Sequence, residues 1–174
     1  DLGNAGALFK LKLTEDFFVI IGDAIFDIDF NRMVDYHRAK GGLVTLFTHP
    51  NSHPYDSGVV IADKDGIVQS WLNKEDKRPL YYKNRVNAGI QLLSPKALEM
   101  SGIDAELVGT EVEGRILKVD MDRQILRPLC GTGKMFCYDS PEYVKDMGTP
   151  ERFHQVEKDF IRGTIKAKSL RNKQ

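Results

Sequence analysis

The chain has 174 residues, enough for one domain with a real hydrophobic core. It is 41% hydrophobic and 29% charged, and its 25 basic residues balance 25 acidic ones. A formal net charge of zero gives no electrostatic case for nucleic acid or an anionic membrane, and the apolar runs are too short to span a bilayer.

The chain opens "DLGNAG" without a methionine and without a visible signal peptide, so it is expected to start inside a longer protein. Ala5 to Leu13 has helical spacing, with Leu8 and Leu11 on one face. "FFVII" follows with no polar alternation and reads as a strand buried on both faces. "DFNRMVDYHRAKGG" is an amphipathic helix that Asp29 or Asn31 can cap and Gly41-Gly42 can end. "LVTLFTH" is strand-like, and "GVVIADKDGIVQSWL" reads as a hairpin turning at Asp63-Lys64-Asp65-Gly66. "RVNAGIQLL" is another apolar strand, running into a helix capped by Ser94 with Pro95 at its first position.

"DMDRQILRPL" reads as a short helix capped by Asp120, and "KMFCYD" as a strand. "GTPERFHQVEKDFIRG" repeats the helix-start device with Thr149 and Pro150, and Gly163 stops it. Residues 1–163 form the expected domain, and the basic stretch 164–174 reads as a linker or frayed tail. Alternating strands and helices predict a layered α/β fold with a mostly parallel mixed sheet. Cys130 and Cys137 match no metal or redox spacing and read as reduced thiols of a cytosolic protein, a pairing being the alternative.

In such sheets ligands bind beyond the carboxyl ends of the strands, which places Gly22-Asp23 at the functional edge. A charge there must be paired, hydrogen-bonded or metal-bound, although a turn-capping aspartate explains Asp23 equally well. Asp27 and Asp29 have D-x-D metal spacing, but helix capping explains Asp29, and alternation puts both on a wet face. Asp146 precedes a glycine and a Thr-Pro helix start, where the helix N-terminus favours anions; a turn aspartate is the competing explanation. Two such carboxylates could converge on one hard cation, and Mg²⁺ suits one or two carboxylates plus substrate phosphates. "LGNAGAL" admits close approach by a base or phosphate, or is a plain turn. In "VNAGI", Asn87 and Gly89 mark a close approach or a bulge. The four histidines offer no metal spacing, and His49 and His53 read as solvated loop residues.

In this order, "LGNAGAL", "FFVIIGD", "YDSGVV", "VNAGI" and "YVKDMGTPERF" resemble the sugar-1-phosphate nucleotidylyltransferases, nearest the mannose-1-phosphate and heptose-1-phosphate guanylyltransferase branch. The likeness runs to about Gly163, and "K-D-M-G-T-P-E-R" is its most specific part. It implies a Rossmann-like three-layer α/β/α fold and a cytoplasmic enzyme that joins a nucleoside triphosphate, GTP by preference, to a sugar 1-phosphate. Pyrophosphate is released. The resemblance makes Asp23 and Asp146 the Mg²⁺ ligands and catalytic carboxylates. It lays Leu2, Gly3, Asn4, Ala5, Gly6 and Gly22 against the nucleotide, with Asn4 where the family often has threonine. It sets Gly58, Lys74, Asn87, Ala88 and Gly89 on the sugar side.

Two departures follow. The family's "E-K-P" appears as "LNKED", so Asn73 stands in place of the glutamate while Lys74 keeps the lysine. The family's G-x-G-T-R loop, which holds the triphosphate, is absent from this sequence. The chain alone is therefore expected to be inactive or nearly so, with an exposed apolar sheet edge where an opening strand belongs. A homo-oligomer is compatible with the reading, as is a phosphatase domain of the haloacid dehalogenase type, which follows in some heptose-pathway relatives. Two rivals stand beside it: a glycosyltransferase with metal on Asp27-x-Asp29, and a non-catalytic regulatory domain that binds nucleotide or sugar.

Overall fold

The computed structural model describes residues 1–50, 58–73 and 75–165. Its centre is a four-stranded sheet of β1 (Phe17–Ile20), β3 (Val44–Pro50), β6 (Arg85–Leu93) and β9 (Met135–Asp139), in the order β1-β6-β3-β9. β3 shows why this sheet is apolar on both faces. Val44 and Leu46 enter a core shared with Leu93, Ala97, Leu126 and Met135, while Phe47 enters another with Met33, Ile90 and Leu92. Period-two alternation thus sends successive apolar side chains to opposite cores. The second core lies under α1 (Phe30–Lys40); the first is covered by α2 (Pro95–Met100) and the short helical turns Met121–Leu126 and Arg127–Leu129. Helical elements on both faces give three layers.

The sheet is mixed, with less parallel pairing than its sequence predicts. β6 runs antiparallel to both β1 and β3, and of the described ladders in this sheet β3–β9 is the parallel one. β6 follows the hairpin β4 (Val59–Ala62) and β5 (Val68–Leu72), and the described residues of this connection hold no helical crossover of the kind a parallel return needs. β1, β3 and β9 still point one way, so their carboxyl ends share an edge with the amino end of β6. Arg85, which opens β6, accordingly meets Asp139 at the end of β9, with Nε 2.7 Å from Oδ1. β1 is a rim strand, not one buried on both faces, and Ile20 and Ile21 are 39% and 40% exposed.

A second ladder carries the site. β2 (Ala24–Asp27) pairs antiparallel with β10 (Tyr143–Asp146), opposing Asp146 to Ala24 and Val144 to Phe26. Neither strand is evident from sequence, since "AIFD" and "YVKD" are short and mix charged with apolar residues. Phe26 and Val144 pack on the α1 core, where Phe26 meets Phe30 edge-on at 5.6 Å. A further two-stranded hairpin, β7 (Glu111–Val112) with β8 (Arg115–Ile116), was likewise unanticipated.

The caps follow the sequence closely. Asp29 Oδ1 accepts the N–H groups of Asn31 and Arg32, and Gly41 ends α1 in the left-handed conformation at φ 63°. Thr149 Oγ1 accepts the Arg152 N–H at the start of α3 (Pro150–Ile161). Ser94 is the N-cap of α2, but its side chain makes no capping bond. Ala5 to Leu13 contracts to a 3-10 turn, Gly6–Lys10, and Leu11 is 59% exposed. His53, Lys74 and the tail from 166 onward lie outside the described residues.

Candidate active site

β1 ends, the chain turns at Ile21-Gly22-Asp23, and β2 begins. This places Asp23 beside the end of β10, where the Met147 N–H donates to the Asp23 carbonyl at 2.7 Å. The two aspartates singled out by position are thereby brought together across one ladder. A methyl built on Gly148 would lie 3.4 Å from Asp146 Oδ1 and 3.7 Å from Asp23 Oδ2. Both carboxylates therefore face the same point, kept clear because residue 148 has no side chain. Asp23 is exposed and Asp146 half-buried, and the space about Gly22 is open.

Burial alone would raise the pKa of Asp146. The Arg152 guanidinium, with Nη1 2.7 Å from Oδ1, and the Gly148 N–H at 3.2 Å outweigh it and hold the carboxyl below its ordinary range. Asp146 is thus an anion at neutral pH. Two hard oxygen ligands fit Mg²⁺ or Mn²⁺, which fill their remaining positions with water and substrate phosphates. No cluster of three or more metal-ligating side chains exists among the described residues.

The D-x-D pair is placed differently from the sequence expectation. Asp27 and Asp29 are half-buried rather than wet. Asp29 is committed to capping α1, and its own N–H donates to Glu142 Oε1 at 2.8 Å. His49 also departs from expectation. It lies in β3 rather than a loop, half-buried, within electrostatic reach of Arg85, Asp146 and Asp139. Burial keeps its pKa below the ordinary value. His49, Gly148 and Arg152 are the neighbours of the carboxylates that sequence reading missed. Only the Thr-Pro helix start, which turns the third helical residue back toward Asp146, hinted at Arg152.

The glycine-rich opening is held by the protein itself. Ala5 N–H donates to Val119 O, Val119 N–H to Leu2 O, and Met121 N–H to Asn4 Oδ1 at 2.7 Å. Ala5 and Gly6 are buried, and Leu2 packs on the larger core. A methyl on Gly3, whose φ is 78°, would stand 2.4 Å from the Val119 carbonyl. Packing therefore accounts for Gly3 without a ligand.

In "VNAGI" the bulge explanation gains support. The β3–β6 register slips between Leu46 and Thr48, Gly89 has φ 73°, and a methyl there would strike the Ile21 side chain at 2.5 Å. The Ile21 N–H donates to the Gly89 carbonyl at 3.0 Å, which ties this bulge to the residue preceding Gly22-Asp23. Asn87 Oδ1 accepts the Gly89 N–H, and Ala88 is buried in the α1 core. Gly58 lies against Trp71, and a methyl there would strike the indole nitrogen at 2.9 Å.

Comparison with known proteins decides the family. The nucleotidyl transferase family model matches residues 2–162. The chain belongs to the nucleotidyl transferase family. Its nucleotidyl transferase sequence is 30% identical over 179 residues to the mannose-1-phosphate guanylyltransferase catalytic subunit beta of Drosophila pseudoobscura pseudoobscura, a match covering 99% of this chain and 42% of that protein. It is 26% identical to the mannose-1-phosphate guanyltransferase of Saccharomyces cerevisiae, over 94% of this chain and 41% of that protein. The chain thus spans about two fifths of the length of these relatives. Its fold is similar to that of HddC from Yersinia pseudotuberculosis, with TM-score 0.63, 19% identity, and 91% of this chain and 63% of that chain covered. A putative glucose-1-phosphate thymidylyltransferase from Bacillus anthracis matches at TM-score 0.60 and 16% identity, over 87% and 56% of the two chains. The nucleotidyl transferase fold is therefore Rossmann-like with a mixed sheet. No helix among the described residues is long and apolar enough to cross a membrane.

Proposed function

We propose that this chain is the carboxylate-bearing part of a cytoplasmic sugar-1-phosphate guanylyltransferase. It joins the nucleotidyl group of GTP to mannose- or heptose-1-phosphate and releases pyrophosphate. The observation that carries the reading is the convergence of Asp23 and Asp146 on Gly148. Family membership and the guanylyltransferase names of the similar proteins support it.

Asp23 and Asp146 would hold Mg²⁺, which when bound neutralises charge on the phosphates of the triphosphate. Phosphoryl-type transfer asks little covalent chemistry of a protein, so the rest is positioning. The β2–β10 ladder fixes the two carboxylates relative to each other. Gly148 leaves the space between them free. Gly58, Lys74, Asn87, Ala88 and Gly89 form the sugar side in this reading, and Leu2 to Gly6 with Gly22 the nucleotide side. The Asn4 side chain, bonded to Met121 N–H, acts there by shaping the backbone.

No G-x-G-T-R loop occurs in the sequence, so the 174-residue chain assayed alone should release pyrophosphate from GTP and either sugar phosphate at background rate. Turnover near that of a full-length relative would show the loop dispensable. Joined to a segment bearing such a loop, the same residues should yield pyrophosphate and a nucleotide sugar. A nucleoside diphosphate released from a nucleotide sugar would instead mark a glycosyltransferase and overturn the reading.

A further inference from the structure

The candidate metal site already holds a cation of its own. Arg152 Nη1 donates to Asp146 Oδ1 at 2.7 Å, and the same oxygen accepts the Gly148 N–H at 3.2 Å. That oxygen is also the one facing Asp23 across Gly148. Arg152 reaches it from a fixed base, since its own N–H is held by Thr149 Oγ1 at the start of α3. The far end of α3 is clamped to β10 by Asp159, which accepts bonds from Tyr143, Lys145 and Gln155.

We propose that Arg152 is a placeholder cation, displaced from Asp146 Oδ1 when a divalent ion binds. The inference rests on the reading that Asp23 and Asp146 hold that ion. Asp146 Oδ1 offers two lone pairs, and both are in use. The Gly148 N–H belongs to the backbone of the turn and stays in place. The guanidinium sits on a flexible, 36% exposed side chain and is the donor able to leave. A guanidinium and a dication also repel each other at such short range. Without the ion, Arg152 offsets the repulsion between two facing carboxylates and keeps the site assembled. It also lowers affinity for the bare ion, so that binding is favoured when triphosphate oxygens arrive with it.

The test is a calorimetric titration of the chain with Mn²⁺, comparing wild type with Arg152→Gln and Arg152→Lys, each first checked for a wild-type circular dichroism spectrum. Removing the charge should tighten Mn²⁺ binding on the order of fivefold, the upper range for an exposed ion pair. Arg152→Lys, which keeps the charge, should stay near wild type. Addition of Mg²⁺ should also shift the Arg152 side-chain ¹⁵N resonance toward that of a free guanidinium. Unchanged or weaker Mn²⁺ binding by Arg152→Gln, with wild type still binding, would overturn the placeholder role alone. Absence of binding in all three proteins would overturn the two-carboxylate site and the placeholder with it.

Discussion

Replacing Asp146 with alanine should weaken Mn²⁺ binding by more than about a hundredfold, because loss of even an outer-shell partner of a metal costs 10–100-fold. Asp23→Ala should do the same, since the two carboxylates face one point across Gly148 and no third acid joins them in a metal-binding group among the described residues. The contrast is Asp29→Ala. That change removes the acceptor of the Asn31 and Arg32 N–H groups and should cost about 1 kcal/mol of stability, the usual value of a helix N-cap. Mn²⁺ affinity should not move. Calorimetry with thermal melts on the three variants separates a ligand from a cap, and an Asp29 variant that lost the ion would revive the D-x-D alternative.

The second large effect is on stability. Asp159 is 7% exposed and accepts hydrogen bonds from Lys145 at 2.7 Å, Gln155 at 2.7 Å and Tyr143 at 2.9 Å. Asp159→Ala leaves Tyr143 without this acceptor and unties the far end of α3 from β10. It should cost about 2 kcal/mol at neutral pH, the range for hydrogen bonds to a charged group. The Lys145 hydrogen bond, with those of Tyr143 and Gln155, outweighs burial and pulls the Asp159 carboxyl down to about 2. An unfolded aspartate titrates at about 3.9, so the folded state holds fewer protons between the two values. The contribution is complete above the unfolded value and is lost as pH falls from about 4 to about 2. Chemical denaturation at a series of pH values should therefore show the wild type losing stability through that window, while the gap to Asp159→Ala closes. A gap that stayed constant would mean that Asp159 acts by packing alone.

Local signals told the most about helices. Asp29, Gly41, Thr149 and Pro150 stand where the backbone needs them, because capping is satisfied within a few residues. The hairpin at Asp63 to Gly66 was legible for the same reason, with Asp63 Oδ1 accepting from Asp65 and Ile67. Strand partners were less legible. "FFVII" is as apolar as a central strand, and the sequence carries no mark of its place at the rim. "YVKD" and "AIFD" look like loop because what stabilises them is each other, across more than a hundred residues. Their pairing is nevertheless what joins the two aspartates. Asp23 could be chosen as the end of an apolar strand and Asp146 as the neighbour of a glycine and a Thr-Pro helix start, but the distance between them comes only from that ladder. The glycines were legible as special positions, but the groups packed against them were not. Gly3 and Gly89 are demanded by a carbonyl and by Ile21, groups that a sequence-local argument cannot see.

The most direct measurement is an anomalous difference map from crystals of the protein grown with Mn²⁺ and GTP. The account predicts a single Mn²⁺ peak over Gly148, within coordination distance of one oxygen each from Asp23 and Asp146. A peak on Asp27 and Asp29, or an ion held by nucleotide phosphates alone with both aspartates free of it, would contradict it.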